Sequence, residues 1–485
     1  MFHSCRCVRS GRRRPIRPNP RIGPVLVLAI ALRVAVPAAA LLSTGDPLVF
    51  HDSDTEAYLS LAESLIRAGR FGDESSPDIV RTPGYPLVLV PGLLLRRPEA
   101  VTIGLQIALS LLTLGLVFRL TELVSRRRDL AWWAALLYAV EPLSIIYASK
   151  LLSETVFTTI VTATMYALAA YARRPTVALA LTAAVGLAAA AYVRPIAYFM
   201  PIVVVACLLV VEIARRRPWR RVLGHAVLVV VVSMGLTGVW RVRNWVEAGY
   251  PGFAGISDVN LYFYLGASTR AARTGTSYYD MQREMGYYDP DLYLRLHPEQ
   301  ATWTPAQRLA YMGEEGRRTV WGAPLTYARI HLDGVVRTLI APGATDALRF
   351  FALDAGLAGY LGAFVDQGVW RGVMRLFRDR PVVFWANLIL APLVLAYLVL
   401  AALGLGRRAA RGEPTAIMTL AVVVYLLAIA GGPAAYARFR HPVMPLLCVY
   451  AACGLDVVRR RLGPATRAQV RTTARTAAAP ATGRA

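Results

Sequence analysis

The chain has 485 residues, of which 56% are hydrophobic and only 17% charged. Soluble proteins carry more charge and arrange apolar residues in stripes, so the long unbroken apolar runs here exclude a soluble fold. The formal charge of +24 raises the question of nucleic acid, but its placement answers it. Arg6, Arg9, Arg12, Arg13, Arg14, Arg17 and Arg21 precede the first apolar run without an acid, and Arg459, Arg460, Arg461, Arg467, Arg471, Arg475 and Arg484 follow the last one in the same way. Such tails read as topology determinants and contacts to anionic membrane lipids, with no nucleic-acid partner.

Taken in chain order, a basic tail (1–22) leads into a first span at 23–42, interrupted only by Arg33. Roughly 20 residues at 1.5 Å rise cross a hydrocarbon core of about 30 Å. Ala38-Ala39-Ala40 imitates a signal cleavage site, but the length of the run favours a retained anchor. The first loop, 43–99, holds the acidic stretch His51-Asp52-Ser53-Asp54-Thr55-Glu56. Ser53 and Glu56 have capping-box spacing, with Ser53 as N-cap. Tyr58, Leu61, Ala62, Leu65 and Ile66 follow at helical intervals up to Gly69. Arg81-Thr82-Pro83-Gly84-Tyr85-Pro86 then turns the chain back toward the membrane.

Nine more spans are predicted, at 100–123, 130–146, 151–171, 177–191, 197–213, 222–240, 382–405, 415–430 and 443–458. The fold class is therefore an all-α polytopic membrane protein of about ten transmembrane helices. An N-terminal module (23–240) and C-terminal helices (382–458) flank a Tyr- and Trp-rich loop, 241–381, which reads as a partly helical cap. The basic tail 459–485, rich in Ala, Thr and Arg after Gly463, reads as disordered. Arg126-Arg127-Arg128, Arg173-Arg174, Arg215-Arg216-Arg217 and Arg407-Arg408 fall on every second connection, on the side of both tails. The positive-inside rule puts that side in the cytoplasm and the loops of mixed acid, base and aromatic character outside. An Arg-heavy chain with a single lysine, Lys150, suggests a GC-rich bacterial genome and hence the cell membrane of a bacterium.

Several residues could carry chemistry. Asp54, with Asp52 as second choice, either stabilises a helix start or serves as a general base taking a proton from a hydroxyl at the membrane surface. Lys150, four residues before Glu154, makes an i,i+4 ion pair or meets a phosphate. Glu141 lies in an apolar span beside Pro142, where a helix break is allowed and an acid needs a partner or a function. His51, Asp52, Asp54 and Glu154 offer donors that suit Mg or Mn, so a divalent metal is an open option and no metal ligand is assigned. Cys207, Cys448 and Cys453 lie in apolar runs, and no cysteine spacing suggests zinc or a disulfide framework. Gly404-x-Gly406-x-x-Ala409 mimics a dinucleotide fingerprint but follows no strand, and there is no P-loop, so nucleotide chemistry has no support.

Asp54-x-x-x-Tyr58 with Leu61-Ala62, followed by Arg81-x-Pro83-Gly84-Tyr85-Pro86, resembles the first outer loop of the GT-C membrane glycosyltransferases. The similarity is to the family 39 type, which includes protein mannosyltransferases and the aminoarabinose transferase of lipid A. Ser153-Glu154, Arg194-Pro195, Trp240-x-x-Arg243-Asn244 and Tyr436-x-Arg438-x-Arg440-His441-Pro442 match as well. The resemblance covers most of the membrane portion and fades across 269–380. It implies a sugar donor on a polyprenyl phosphate, transfer on the outer face, and an acid in the first loop as base.

The residues support the same expectation on physical grounds. A polyprenyl-phosphate sugar needs an apolar groove and cations for its phosphate. Lys150, Arg194, Arg243, Arg438, Arg440 and His441 fall at or near outer helix ends. The guanidinium fork gives phosphate two charge-assisted hydrogen bonds, although outer arginines also snorkel to headgroups or pair with loop acids. Arg194 and Arg243 are the first choices. Arg81, Glu154 and His441 join the substrate pocket, and Tyr58, Tyr85 and Tyr262 either line it or anchor the interface. The expected function is an inverting glycosyltransferase whose acceptor hydroxyl belongs to a lipid, glycan or protein. The alternatives are a transporter or flippase of lipid-linked sugars, which would show inverted repeats and broken helices, and a non-catalytic assembly partner.

Overall fold

The computed structural model describes residues 21–73, 76–353, 374 and 377–477. Most of the tail 1–22 and the end of the C-terminal tail thus lie outside the described residues. The chain is helical throughout its apolar runs, as it must be where lipid offers the backbone no hydrogen bonds. In order, the helices are α1 (Gly23–Thr44), α2 (Thr55–Ala68), α3 (Gly84–Leu94), α4 (Pro98–Ser125), α5 (Arg128–Ala139), α6 (Pro142–Ile146), α7 (Glu154–Arg173), α8 (Val177–Val193), α9 (Met200–Ala214) and α10 (Trp219–Ala248). The large loop supplies α11 (Ile256–Val259), a π-helical stretch at Asn260–Gly266, α12 (Ala267–Thr274), α13 (Tyr278–Glu284), α14 (Pro290–Leu296), α15 (Pro305–Trp321), α16 (Pro324–Ile340) and α17 (Ala344–Phe350). The chain closes with α18 (Pro381–Ala409), α19 (Pro414–Ile429) and α20 (Met444–Ala477). Among the described residues seven helices are long and apolar enough to cross a membrane, and three shorter apolar ones, Gly84–Leu94, Val177–Val193 and Pro414–Ile429, stand beside them.

Three expectations are corrected here. The span expected at 130–146 is two helices, α5 and α6, because Pro142 cannot continue a helix. The break is sealed from both sides. Glu141 accepts from the Ser144 backbone amide and hydroxyl, each at 2.6 Å. From α1, the buried Arg33 donates to the freed carbonyls of Ala139 (3.1 Å) and Tyr138 (3.4 Å) and to Ser110 (2.8 Å). Second, the N-cap of α2 is Asp54 rather than Ser53, and the Asp54 side chain makes no capping bond. Third, α20 continues to Ala477, well past 458, in keeping with the helix propensity of Ala and Arg.

Glycines set the close approaches. A Cβ on Gly404 would meet the Tyr450 carbonyl oxygen at 2.0 Å, and one on Gly454 the Leu400 oxygen at 1.9 Å, so α18 and α20 touch backbone to backbone. That contact, not a nucleotide, accounts for Gly404. Gly84 does the same for the site: a Cβ there would meet the Tyr192 carbonyl oxygen at 2.5 Å, so the start of α3 packs directly on the backbone near the end of α8. Arg81 and Arg194 are thereby brought to one side of the bundle.

The charged connections separate by end. Arg127 bridges to Asp456 at 2.6 Å, Arg215 donates to the Ala172 carbonyl at 2.7 Å, Arg408 to that of Val124 at 3.3 Å, and Arg173 to that of Leu123. At the opposite end the Leu151 amide bonds the Phe50 carbonyl at 2.9 Å, tying the acidic first loop to the start of α7.

Candidate active site

Asp54 sits where the first loop becomes α2, one third exposed. Its two oxygens are held by different guanidinium groups. Arg81 donates to Oδ1 at 3.2 Å and Arg438 to Oδ2 at 3.1 Å. Arg81 comes from the turn before α3 and lies over the Tyr58 ring, 4.8 Å from its centroid. Arg438 stands just before α20, 5% exposed, with Nε on Glu154 and Nη1 on the Tyr436 hydroxyl (3.2 Å). Glu154, fully buried at the first turn of α7, also accepts from Arg194 Nη1 at 2.6 Å. Four segments far apart in sequence thus close a chain of alternating charge: Arg81, Asp54, Arg438, Glu154, Arg194. Burying a carboxylate such as Glu154 is tolerable only with pairing of this kind, yet its Oε2 has no hydrogen-bond partner among the described residues.

Lys150 does not pair with Glu154. The residues between them are not helical, since α7 begins at Glu154 itself, and the i,i+4 geometry never forms. Instead Lys150 Nζ donates to the His51 carbonyl at 3.0 Å and lies 3.9 Å from Asp52 Oδ2. Burial depresses its pKa, with the Asp52 carboxylate opposing that shift. The Asp52 carboxylate also accepts from the Ser53 amide at 2.8 Å, while its backbone is tied to Thr55.

The other expected residues fall around or behind this chain. Arg243 is not in contact with it: Nη1 donates to the Asp78 carbonyl and Nη2 to that of Phe71, both at 2.6 Å, and Nε meets Glu247 at 2.9 Å. It clamps the end of the first loop, and burial raises the Asp78 carboxyl beneath. Arg440 is fully buried, with Nη1 on the carbonyls of Thr338, Leu339 and Ala341 at the end of α16. It sits behind the site. His441, 1% exposed, meets Thr158 at 3.1 Å. Tyr85 is also fully buried, donating to Gln106 at 3.1 Å while stacking edge-on with Tyr58 at 4.9 Å. It supports the Tyr58–Arg81 stack rather than facing a sugar. Tyr262 is buried in the cap beside His297.

The potential metal donors do not converge. His51 pairs with Glu99 at 3.1 Å, Asp52 faces Lys150, and Asp54 and Glu154 lie on opposite sides of Arg438. A guanidinium takes the place between carboxylates that a cation would need. Among the described residues no three His, Cys, Asp or Glu side chains gather.

Two contributors escaped the sequence. Asp346 on α17 accepts from the Tyr147 hydroxyl at 2.7 Å, and burial raises both groups. It belongs to the stretch where the family resemblance fades. Gln106, a polar residue inside an apolar helix, braces Tyr85 and the Lys150 carbonyl (2.7 Å). Its position within an apolar run was a usable signal.

No protein-family model matches this chain, and no curated protein matches it in sequence. Solved structures do. The oligosaccharyltransferase of Archaeoglobus fulgidus in the apo form superposes with a TM-score of 0.51 at 14% identity, over 92% of this chain and 52% of that one. The archaeal enzyme AglB of that organism, in complex with an inhibitory peptide and a dolichol-phosphate, gives 0.51 at 13%, over 96% and 52%. A complex with Zn and sulfate gives 0.50 at 13%, over 91% and 49%. The chain spans about half the length of these proteins. The likeness is one of fold: this is a polytopic, all-α membrane protein that shares its fold with part of these oligosaccharyltransferases.

Proposed function

We propose that the protein is an integral-membrane inverting glycosyltransferase that moves a sugar from a polyprenyl-phosphate donor to an acceptor hydroxyl at the outer face of the membrane. The motifs around Asp54, Arg81 and Arg438 resemble the family 39 type. The observation carrying this reading is the doubly held, part-exposed carboxylate of Asp54 at the bundle end, linked to Arg194 through the Arg438 guanidinium and the Glu154 carboxylate.

In this reading Asp54 accepts the acceptor's proton as the hydroxyl oxygen bonds to the anomeric carbon. The bond from that carbon to the phosphate oxygen breaks, and the electron pair leaves with the polyprenyl phosphate. Attack opposite the leaving group inverts the anomeric configuration. Arg194 and Arg81 are the cations best placed to meet the phosphate, since each is part-exposed and each holds only one carboxylate oxygen. A phosphate that draws Arg81 away frees Asp54 Oδ1, so donor binding would release the base. Arg438, buried between Glu154 and Asp54, keeps the carboxylate aimed. Preorganised cations stabilise charge growing on the departing phosphate. The neighbours that bear on the donor and acceptor are AglB, in complex with an inhibitory peptide and a dolichol-phosphate, and the same oligosaccharyltransferase tethered to an acceptor peptide containing the NVT sequon.

One feature favours the transporter reading, the helix broken at Glu141. The freed amides of Leu143 and Ser144 are held by Glu141, however, and the carbonyls of Tyr138 and Ala139 by Arg33, so these groups are engaged within the chain. Purified protein in vesicles with radiolabelled polyprenyl-phosphate sugar separates the two. Labelled product of inverted anomeric configuration supports the transferase. Label crossing the bilayer with no product formed would replace it with the transporter.

A further inference from the structure

The cap carries a repeated triplet, Tyr278-Tyr279-Asp280 and Tyr287-Tyr288-Asp289, nine residues apart, that no proposed step uses. The fold brings the two copies together. Tyr264, on the π-helical stretch, shares a 2.5 Å hydrogen bond with the Tyr287 hydroxyl. The Tyr287 and Tyr288 rings lie 4.8 Å apart, and Tyr278 and Tyr279 5.2 Å apart. Gln282, buried between the copies, accepts from the Tyr288 hydroxyl at 3.2 Å and donates to that of Tyr278 at 2.9 Å. The turn before Tyr287 requires Gly286: its φ is +79°, and a Cβ there would meet the Tyr293 amide at 2.6 Å. This is a built surface, yet Tyr279 is 50% and Tyr288 58% exposed.

The row adjoins the connection that leads to the site. Leu265, next to Tyr264, would touch a Cβ on Gly432, in the connection that leads to Arg438. From Tyr264 the phenols run through Tyr287 to Tyr288, with Tyr278 and Tyr279 alongside.

We propose that this tyrosine row is the acceptor subsite and that the acceptor it takes is a saccharide. A pyranose ring offers flat faces of C–H groups, which suit the negative face of an aromatic ring, and a rim of hydroxyls, which suits phenols that both donate and accept. A lipid acceptor would want an apolar groove, and each ring here carries a hydroxyl. An extended peptide would want free backbone partners along a strand edge, and these tyrosines sit on short helices and turns. The proposal deepens the transferase reading and rests on it for the role of Asp54.

The test is binding of linear trisaccharides of glucose, mannose and N-acetylglucosamine, and of a Ser/Thr-containing peptide, to the purified full-length protein by saturation-transfer NMR. At least one trisaccharide is expected to bind saturably. Tyr279→Ala and Tyr288→Ala are each expected to weaken it roughly three- to tenfold, the range for losing one aromatic contact, while Tyr279→Phe and Tyr288→Phe stay within about twofold. The phenylalanine variants keep the ring and guard against misfolding. Binding of the peptide alone, of no trisaccharide, or with equal affinity in the alanine variants overturns the proposal. Tyrosine-dependent saccharide binding without any sugar transfer would uphold the subsite and sink the transferase. Transfer to a peptide hydroxyl, untouched by the alanine variants, would do the reverse.

Discussion

At the Arg-rich end of the bundle, Arg173 covers the Leu123 carbonyl, Arg408 that of Val124, and Arg127 spans Asp129 and Asp456 at the surface, while Arg215 and Arg217 share the buried Glu212. At the other end Arg438 lies 5% exposed between a fully buried Glu154 and the part-exposed Asp54. The residue type is the same and the work differs. In the first region the exposed arginines satisfy helix-end carbonyls and surface acids, where each contact is worth little and tolerates replacement. In the second, Arg438 and Glu154 are withdrawn from water and held mainly by charged partners, so removing either strands the other. The same residue type therefore stands in two different settings, and only its partners tell them apart.

That contrast can be broken by substitution, starting with the largest expected effect. Arg438→Met should cost about 3–5 kcal/mol, because Glu154 then keeps a single cation; the check is thermal unfolding in detergent, with sugar transfer lost as well. Glu154→Gln should cost about 1.5–3 kcal/mol. In a double-mutant cycle with Arg438→Met its effect should fall well short of additive, and simple addition would show that the two do not act as one unit. Arg194→Lys keeps the charge but loses the fork, so the donor KM should rise about tenfold, the worth of one charge-assisted hydrogen bond, with little change in melting temperature. Arg173→Ala, exposed at the far end on the Leu123 carbonyl, should cost less than about 1 kcal/mol and leave transfer untouched. A large loss of activity there would erase the distinction between the ends.

The sequence made the membrane fold legible because the cost of leaving water depends on composition, which apolar runs state openly. The alternation of arginine clusters from Arg126 to Arg408 likewise foretold which connections share an end. Asp54, Arg81, Arg194, Glu154 and Arg438 could be named as candidates, but their alternating order could not, because it depends on where four helices happen to begin. Arg243 and Arg440 misled for a related reason. Their partners are backbone carbonyls of Phe71, Asp78 and the end of α16, and a carbonyl leaves no mark in the sequence. Lys150 and Glu154 had the right spacing for a helix that starts only at the second of them.

The most direct measurement is sugar transfer by Asp54→Asn from a radiolabelled polyprenyl-phosphate donor, with donor binding read on the same sample. The asparagine keeps the size of the side chain and removes its charge. Transfer is expected to fall by roughly 10²–10⁴-fold, the contribution of a general base, while the donor still binds. Wild-type transfer rates in that variant would contradict a catalytic carboxylate at Asp54.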